Sequence, residues 1–363
     1  MPLTQTPTRF HALRIAEVTR ETPDAVSLAF EIPPDLRDAF TFAPGQYLTL
    51  RATIGGEEVR RSYSICSGLD DGELRVAIKH VPDGAFSAHA NTALRPGDTI
   101  DVMPPDGRFG VPIAAGAARV LVGIAAGSGI TPILSILKTV LARETHSRFI
   151  LFYGSRMTGG IMFRETLEDL KDRFLDRFSV VHVLSREEQD VAILNGRLDP
   201  QKIRTLLPAA VDPARIDNVF LCGPSTMIDE LTPVIAALGV APERIRSERF
   251  TPSGAALRAP APRPVPATAP AFATATIIFD GKTTSVPVAE DEAVLDAALR
   301  AGLDLPWSCR GGMCSTCRAR IVGGEVRMAE NYALEPWELE LGYALTCQAR
   351  PLTASLTVDY DHV

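Results

Sequence analysis

VLVGIAAGSGITPILSILKTVLA, residues 120–142, decides the fold. No charge falls between Arg119 and Lys138, so Val120–Leu137 is just long enough to be weighed as a membrane span. Gly123, Gly127, Ser128, Gly129, Thr131 and Pro132 interrupt it. A buried strand, a glycine turn and a helix opening at Pro132 account for the same residues better. Glycines at such a turn let the backbone approach a phosphate, and the helix end favours negative charge. The pattern is not a full G-x-G-x-x-G, because Pro132 stands where the third glycine would be.

Downstream the alternation continues: FILFYGS then MFRETLEDLKDRF, FSVVHVLS, and NVFLCG then STMIDELTPVIAAL. Strands alternating with helices predict an α/β domain with a parallel sheet and crossover helices. Upstream, RIAEVTRE, VSLAFEI, YLTLRATI, LRVAIKHV and DTIDVM are short apolar alternations, separated by turn signals at Ala43-Pro44-Gly45, Gly55-Gly56 and Arg95-Pro96-Gly97-Asp98. That spacing predicts an antiparallel β-barrel. Residues 252–272, PSGAALRAPAPRPVPATAPAF, cannot pack and read as a semi-stiff spacer. The expected organisation is a barrel over 1–113, an α/β domain over 114–251, a linker over 252–272 and a small domain over 273–363.

A length of 363 residues suits two or three domains. With 37 Lys+Arg against 44 Asp+Glu the net charge is −7, which argues against non-specific nucleic-acid binding. The first thirty residues carry no basic-then-apolar leader pattern, so a cytoplasmic protein with no membrane association is expected. The stretch from Ala273 onward holds 13 acidic and 7 basic side chains and so most of the net charge. Such a face could steer a basic partner, or simply keep a small domain in solution.

Four of the six cysteines lie in that tail, as Cys309-x4-Cys314-x2-Cys317 and, 29 residues later, Cys347. Disulfides are disfavoured where nothing points to an oxidising compartment. Structural zinc usually takes two C-x2-C knuckles, and one is present. The C-x4-C-x2-C…C spacing is that of a plant-type 2Fe–2S ferredoxin. Ser308-Cys309-Arg310-Gly311-Gly312-Met313-Cys314 is small and polar, as a loop aiming amides at cluster sulfurs must be.

Two sites can be read from the front half. Arg61, Tyr63 and Ser64 place a cation, a ring and a hydroxyl on one strand, able to meet a phosphate, an isoalloxazine face and a ring nitrogen; Gly84-Ala85-Phe86-Ser87 could open a helix onto a pyrophosphate. Cys222, in Phe220-Leu221-Cys222-Gly223-Pro224, ends a buried strand at the carboxyl edge of the sheet. Its plainer reading is a small buried hydrophobe.

Residues 273–363 resemble a plant-type ferredoxin module, a β-grasp fold: the hairpin TATIIFDGKTTSVPV, the helix EAVLDAALRAG and LPWSCRGGMCSTC follow its order. The resemblance implies Cys309, Cys314, Cys317 and Cys347 as iron ligands. Across residues 10–250, R-x-Y-S, G-x-x-S, G-x-G-x-x-P, C-G-P and the terminal Glu248-Arg249-Phe250 resemble the ferredoxin–NADP reductase superfamily. That resemblance implies a flavin-binding barrel followed by a nicotinamide-binding domain. Arg61, Tyr63 and Ser64 would contact the flavin, and Gly84, Phe86 and Ser87 its phosphates, which favours FAD over FMN. Gly127, Thr131 and Pro132 would line the nicotinamide cofactor's site, with Cys222 near its ring. Phe250 would cover the isoalloxazine, and Glu248 would assist proton exchange. Ser185-Arg186 stands where members selective for NADPH place such a pair, and Arg156 is a second partner for a 2′-phosphate; NADPH is expected, with NADH open.

The order reductase, linker, C-terminal ferredoxin is shared by oxygenase reductases. FHALRIAEVTRETPDAVSLAFEIP, FAPGQYLTLRATIGGEEVRRSYSICS and LRVAIKHVPDGAFSAHANTALRPGDTIDVMPPDGRF resemble the reductase subunits of multicomponent phenylacetyl-CoA epoxidases. That family implies electron delivery from NADPH through FAD and the cluster to a diiron oxygenase of aerobic phenylacetate degradation. No helical Glu-x-x-His set is present for a diiron centre in this chain itself. Two rivals stay open: an NADH-dependent reductase of another oxygenase, such as a Rieske dioxygenase, and a redox protein whose reductase half no longer turns over.

Overall fold

The computed structural model describes residues 9–251 and 270–362. They divide into a larger unit, residues 11–59 and 63–251, and a smaller one that holds the tail together with residues 9–10 and Arg60–Ser62.

The larger unit opens with six strands, β1 (His11–Thr22), β2 (Ala25–Glu31), β3 (Tyr47–Ile54), β4 (Glu57–Ser64), β5 (Leu74–Lys79) and β6 (Thr99–Val102), with helix α1 (Ala85–Thr92) before the last. Their order is β4-β3-β6-β1-β2-β5. A bridge between Ile65 and Val76 joins the two edge strands and closes the expected barrel. Leu13, Ile15, Val26, Leu28, Leu48, Leu50, Val76 and Ile78 fill it, as the period-two alternation requires.

The second sheet is parallel: β7 (Val120–Ala126), β8 (Arg148–Ser155), β9 (Phe178–Leu184), β10 (Asn218–Pro224) and β11 (Ile245–Thr251), in the order β11-β10-β7-β8-β9. The crossovers carry α2 (Ile130–Arg143), α3 (Arg164–Arg173), α4 (Pro200–Ala210) and α5 (Ser225–Ala237). Residues 120–137, weighed as a membrane span, are thus a strand, a turn and a helix. Among the described residues no helix is long and apolar enough to cross a membrane. Helix α2 opens at Ile130, two residues before the expected Pro132. Gly127–Gly129 already forms a 3₁₀ turn whose carbonyls at Gly127 and Ser128 accept from the Ile130 amide, so Pro132 falls in the first helical turn, where its missing N–H is not needed.

The tail has the sheet β13-β12-β18-β14-β16, formed by β12 (Ala271–Phe279), β13 (Lys282–Ala289), β14 (Arg318–Gly323), β16 (Tyr343–Leu345) and β18 (Ser355–Asp359). A small ladder of β15 (Val326–Met328) and β17 (Ala349–Pro351) stands beside it, with helices α6 (Val294–Arg300) and α7 (Pro336–Glu340). Helix α6 is shorter than EAVLDAALRAG suggested. Glu292 turns back to accept from the Ala289 amide at 2.9 Å and to pair with Arg300, so it braces the helix from outside. Of the expected spacer, residues 252–269 lie outside the described residues. Ala271 and Phe272 already belong to β12, where Ala271 faces Ala289.

Glu144, just past α2, has a fully buried carboxylate. Burial pushes it up, but the Arg119 guanidinium, the Ser147 hydroxyl and the Ala114 amide outweigh that and hold it below the usual carboxylate range. It therefore contributes stability at neutral pH that is lost as pH falls through its lowered folded-state value. Glu144→Gln, which strands the Arg119 charge, should cost about 3 kcal/mol in urea unfolding. An unchanged midpoint would mean the pair contributes nothing net.

Candidate functional site

The sheet order of the second domain reverses at β7, with β10 on one side and β8 on the other. Ligands of open parallel sheets bind outside the carboxyl ends of the strands at such a point. The Gly127–Gly129 turn and the Cys222-Gly223-Pro224 end of β10 meet there. A Cβ at Gly129 would lie 2.2 Å from the Cys222 carbonyl oxygen, so only glycine allows the turn to pack on β10. Gly127 has φ +55 and open space where a Cβ would stand, as a ligand-facing backbone needs. Thr131 is buried and its hydroxyl donates to the Ser128 carbonyl at 3.0 Å, fixing the turn from within; Pro132 is buried beside it.

Cys222 is fully buried, and its register partners are Ala125 on β7 and Glu248 on β11. Burial, reinforced by the Glu248 charge, pushes its thiol well up, so it is protonated at neutral pH. The ladder slips next: Gly223 faces Arg249 and Pro224 faces Thr251, leaving Phe250 at the irregularity without an opposite residue. Bulges re-aim side chains. Phe250 is half-buried against the core cluster that includes Cys222.

Ser155-Arg156 and Ser185-Arg186 follow the neighbouring strands β8 and β9. The Ser185 amide donates to the Ser155 carbonyl at 3.0 Å and the Arg186 amide to that of Arg156 at 2.8 Å, so the two arginines leave the sheet side by side. Both are exposed and neither has an ion pair among the described residues. The nearest carboxylate in sequence, Glu187, is bound to the amide and hydroxyl of Thr158, which hold it below its ordinary range.

In the barrel, Tyr63 and Phe86 pack ring to ring at 5.5 Å with the Tyr63 ring half-exposed, while Ser64 is buried. Arg61 is exposed, with its guanidinium donating to the Arg60 carbonyl. Gly84 caps α1, and the Ser87 hydroxyl donates to its carbonyl at 3.0 Å while accepting from the Val81 amide. Tyr63, Ser64 and the Gly84–Ser87 helix start form a shelf of one aromatic face and one helix end, a donor set that fits a flavin and its phosphates.

Two residues that hold the site together were not singled out in the sequence. Tyr153 is buried and its hydroxyl donates to the Gly127 carbonyl at 2.9 Å. Ser135 on α2 donates to the Ser67 carbonyl at 2.7 Å, tying the loop after Ser64 to the helix that the glycine turn opens. Lys138–Asp71 and Arg143–Asp70 extend that clasp. The F-Y-G-S string carried the first signal. The second had none, since a serine in an apolar helix reads as filler.

In the tail the four cysteines associate as two pairs. The Cys314 thiol donates to Cys309, the main reason the Cys309 thiol falls to about 7. Cys317 likewise donates to Cys347 and lowers it. The Gly311 and Met313 amides point at the Cys309 sulfur from 3.4 and 3.3 Å, the Cys309 amide at the Cys314 sulfur from 3.4 Å, and the Gln348 side chain at Cys347. Gly312, at φ +75, must be glycine, for its Cβ would stand 2.9 Å from the Glu330 carbonyl oxygen. Among the described residues no three ligating groups close on a single metal ion. Two thiol pairs ringed by amides fit a two-iron cluster, which takes two thiolates on each iron.

Three family models match in chain order: "Oxidoreductase FAD-binding domain" over residues 12–110, "Oxidoreductase NAD-binding domain" over 124–232 and "2Fe-2S iron-sulfur cluster binding domain" over 277–352. The chain is 42% identical to one of the subunits of the 1,2-phenylacetyl-CoA epoxidase of Escherichia coli (strain K12), over 98% of both chains. It is 36% identical to a "3-ketosteroid-9-alpha-monooxygenase, ferredoxin reductase component" of Mycobacterium tuberculosis, over 96% of this chain and 95% of the other. Among solved structures, a phthalate dioxygenase reductase shares the fold at a TM-score of 0.58, with 22% identity over 96% of this chain and 98% of that one.

Proposed function

This chain belongs to the ferredoxin–NADP reductase superfamily, among the members that carry a C-terminal plant-type 2Fe–2S domain, and we propose that it is the NADPH-dependent reductase component of a phenylacetyl-CoA epoxidase whose oxygenase is a diiron protein. It is an NAD(P)H-dependent oxidoreductase that uses FAD and a 2Fe–2S cluster. When bound, these groups convert a two-electron donor into single electrons for an acceptor outside the chain.

The protein supplies position. The Gly127–Gly129 turn receives the nicotinamide cofactor, braced from within by Thr131 and Pro132, while Arg156 and Arg186 grip its 2′-phosphate. Tyr63 and Ser64 hold the flavin ring, with Arg61, Gly84, Phe86 and Ser87 at its phosphate end. Phe250 covers the face that the nicotinamide must reach, Cys222 keeps a small apolar wall there, and Glu248 beside it handles the proton. Cys309, Cys314, Cys317 and Cys347 bind the iron. A thiolate-held cluster calls for a reducing compartment, which supports a cytoplasmic location.

The observation that carries the cofactor choice is the Arg156–Arg186 pair, joined through its backbone and without an ion partner among the described residues. The oxygenase assignment rests on 42% identity along the whole chain. The ketosteroid monooxygenase relative supports a second reading, a reductase for a different oxygenase.

An anaerobic titration of the holoprotein with NADPH and separately with NADH, followed by visible absorption and low-temperature EPR, tests the reading. NADPH should bleach the flavin and give one rhombic reduced-cluster signal per chain. Reduction by NADH alone would overturn the cofactor choice. A reduced flavin beside an oxidised cluster would remove the tail from the electron path.

A further inference from the structure

Helix α2 is apolar on nearly every side, yet it buries two hydroxyl side chains four residues apart, Ser135 and Thr139, each 0% exposed. That spacing puts both on one face. A buried hydroxyl costs free energy unless it is bonded, and a helical serine or threonine often bonds back to its own helix. Thr139 does so, donating to the Ser135 carbonyl at 2.8 Å, and its oxygen then accepts from the Leu69 amide at 3.1 Å. Ser135 sends its single proton outward instead, to the Ser67 carbonyl at 2.7 Å.

The helix face thus offers one donor and one acceptor, matched to one C=O and one N–H of the strap 67–69. Gly68 lies between the two contacts. A Cβ there would stand 2.8 Å from the Lys138 Cβ, so glycine lets the strap lie flat on the helix. Asp71 closes the strap, accepting from the Gly68 amide at 2.9 Å and from Lys138 at 2.8 Å. On the other side the Ser67 hydroxyl accepts from the Arg75 amide at 3.1 Å, which fixes the strap to β5.

What the strap joins gives the contact its meaning. Ser67 lies three residues past Ser64, the end of the strand read as holding the flavin ring. Ser135 lies five residues past Ile130, where the nicotinamide-binding turn becomes helix. At about 3.3 Å per extended residue and about 1.5 Å per helical one, each arm spans roughly 10 Å or less. Two buried hydrogen bonds therefore close a short path between the two cofactor sites.

We propose that Ser135 and Thr139 are positioning residues for hydride transfer, fixing the barrel's flavin strand against the helix that carries the dinucleotide turn. This rests on the reductase reading above and names residues outside both cofactor sites on which its first step depends. In that step the nicotinamide C–H bond breaks, its hydride carries both electrons into a new bond on the oxidised flavin, and the nicotinamide leaves as the oxidised cation. The transfer needs donor and acceptor about 3–3.5 Å apart, and a displacement of about 1 Å can cost on the order of 10²-fold. Two hydrogen bonds that touch neither cofactor can thereby govern the rate.

The test compares the FAD- and iron-loaded full chain as wild type, Ser135→Ala, Thr139→Val and Thr139→Ser. Flavin reduction is followed in anaerobic stopped flow against rising concentrations of whichever nucleotide reduces the wild type, and with its C4-dideuterated form. Hydrogen exchange at the Leu69 amide is read separately on the oxidised protein. Ser135→Ala and Thr139→Val should lower the limiting rate of flavin reduction about tenfold, with half-saturation within about twofold of wild type and the isotope effect undiminished. Thr139→Val should also speed Leu69 exchange, and Thr139→Ser, which keeps the hydroxyl, should restore both readings. A limiting rate equal to wild type would overturn the proposal, most clearly beside faster Leu69 exchange, since the strap would then be loosened without consequence. Loss of bound FAD, or a rise in half-saturation that accounts for the whole effect, would also overturn it by making the clasp a support of binding or of the fold. A wild type whose flavin neither NADPH nor NADH reduces would instead bring down the reductase reading, and this proposal with it.

Discussion

Cys314→Ser should leave NADPH oxidation by ferricyanide near the wild-type rate while cytochrome c reduction falls by about two orders of magnitude or more, because an acceptor that draws on the flavin needs no cluster. Cys314 is central to the loop: its sulfur receives the Cys309 amide, and its own proton is what lowers Cys309. Serine keeps the size and a hydrogen-bonding group but is a poor iron ligand. Cys317 and Cys347 pack in the tail's own hydrophobic core, and none of the tail's described residues enters the cores of the barrel or the parallel sheet, so those two sheets have no need of the cysteines to fold. The visible spectrum separates the outcomes, with the flavin bands retained and the charge-transfer absorption of the cluster lost. Retained cytochrome c reduction would show that the flavin serves the acceptor directly.

A 2Fe–2S domain was legible from cysteine spacing alone because a cluster imposes its geometry on the chain as a fixed interval between thiols. Barrel and parallel sheet were legible for a related reason, since period-two alternation and strand–helix alternation are each imposed by a core. What escaped was local or relational. Helix α4 went unforeseen although Asp199 caps it by accepting from the Lys202 amide at 2.9 Å and Pro200 fills its first position, because its apolar face is thin. The slip that isolates Phe250 depends on the register between β10 and β11, which no single strand encodes. Tyr153 and Ser135 act on carbonyls at Gly127 and Ser67, far away in sequence, and backbone acceptors leave no mark on the residue that binds them. The plain reading of Cys222 as a small buried group fits its environment, since burial keeps it a thiol.

Replacing Arg156 and Arg186 together with alanine should lower kcat/KM for NADPH by about 10²–10³ while leaving NADH nearly untouched, since each charge-assisted contact to a phosphate contributes about 1.5–3 kcal/mol and every 1.36 kcal/mol is tenfold. The geometry makes the pair act together: the Arg186 amide bound to the Arg156 carbonyl sets both side chains off one edge, and neighbours that share a ligand lose less in combination than the sum of the single changes. Glu187 would ordinarily neutralise an adjacent arginine, but it is held by Thr158, so its charge is already satisfied. Two further variants sharpen the result. Arg186→Lys keeps the charge and loses the planar fork, so it should fall between wild type and Arg186→Ala. Thr158→Val removes the hydroxyl but keeps the amide, so it loosens one of Glu187's two anchors and should raise KM for NADPH modestly without changing kcat. Equal losses with NADPH and NADH in the double variant would instead make the arginines supports of the loop, and the discrimination between cofactors would have to lie elsewhere in the fold.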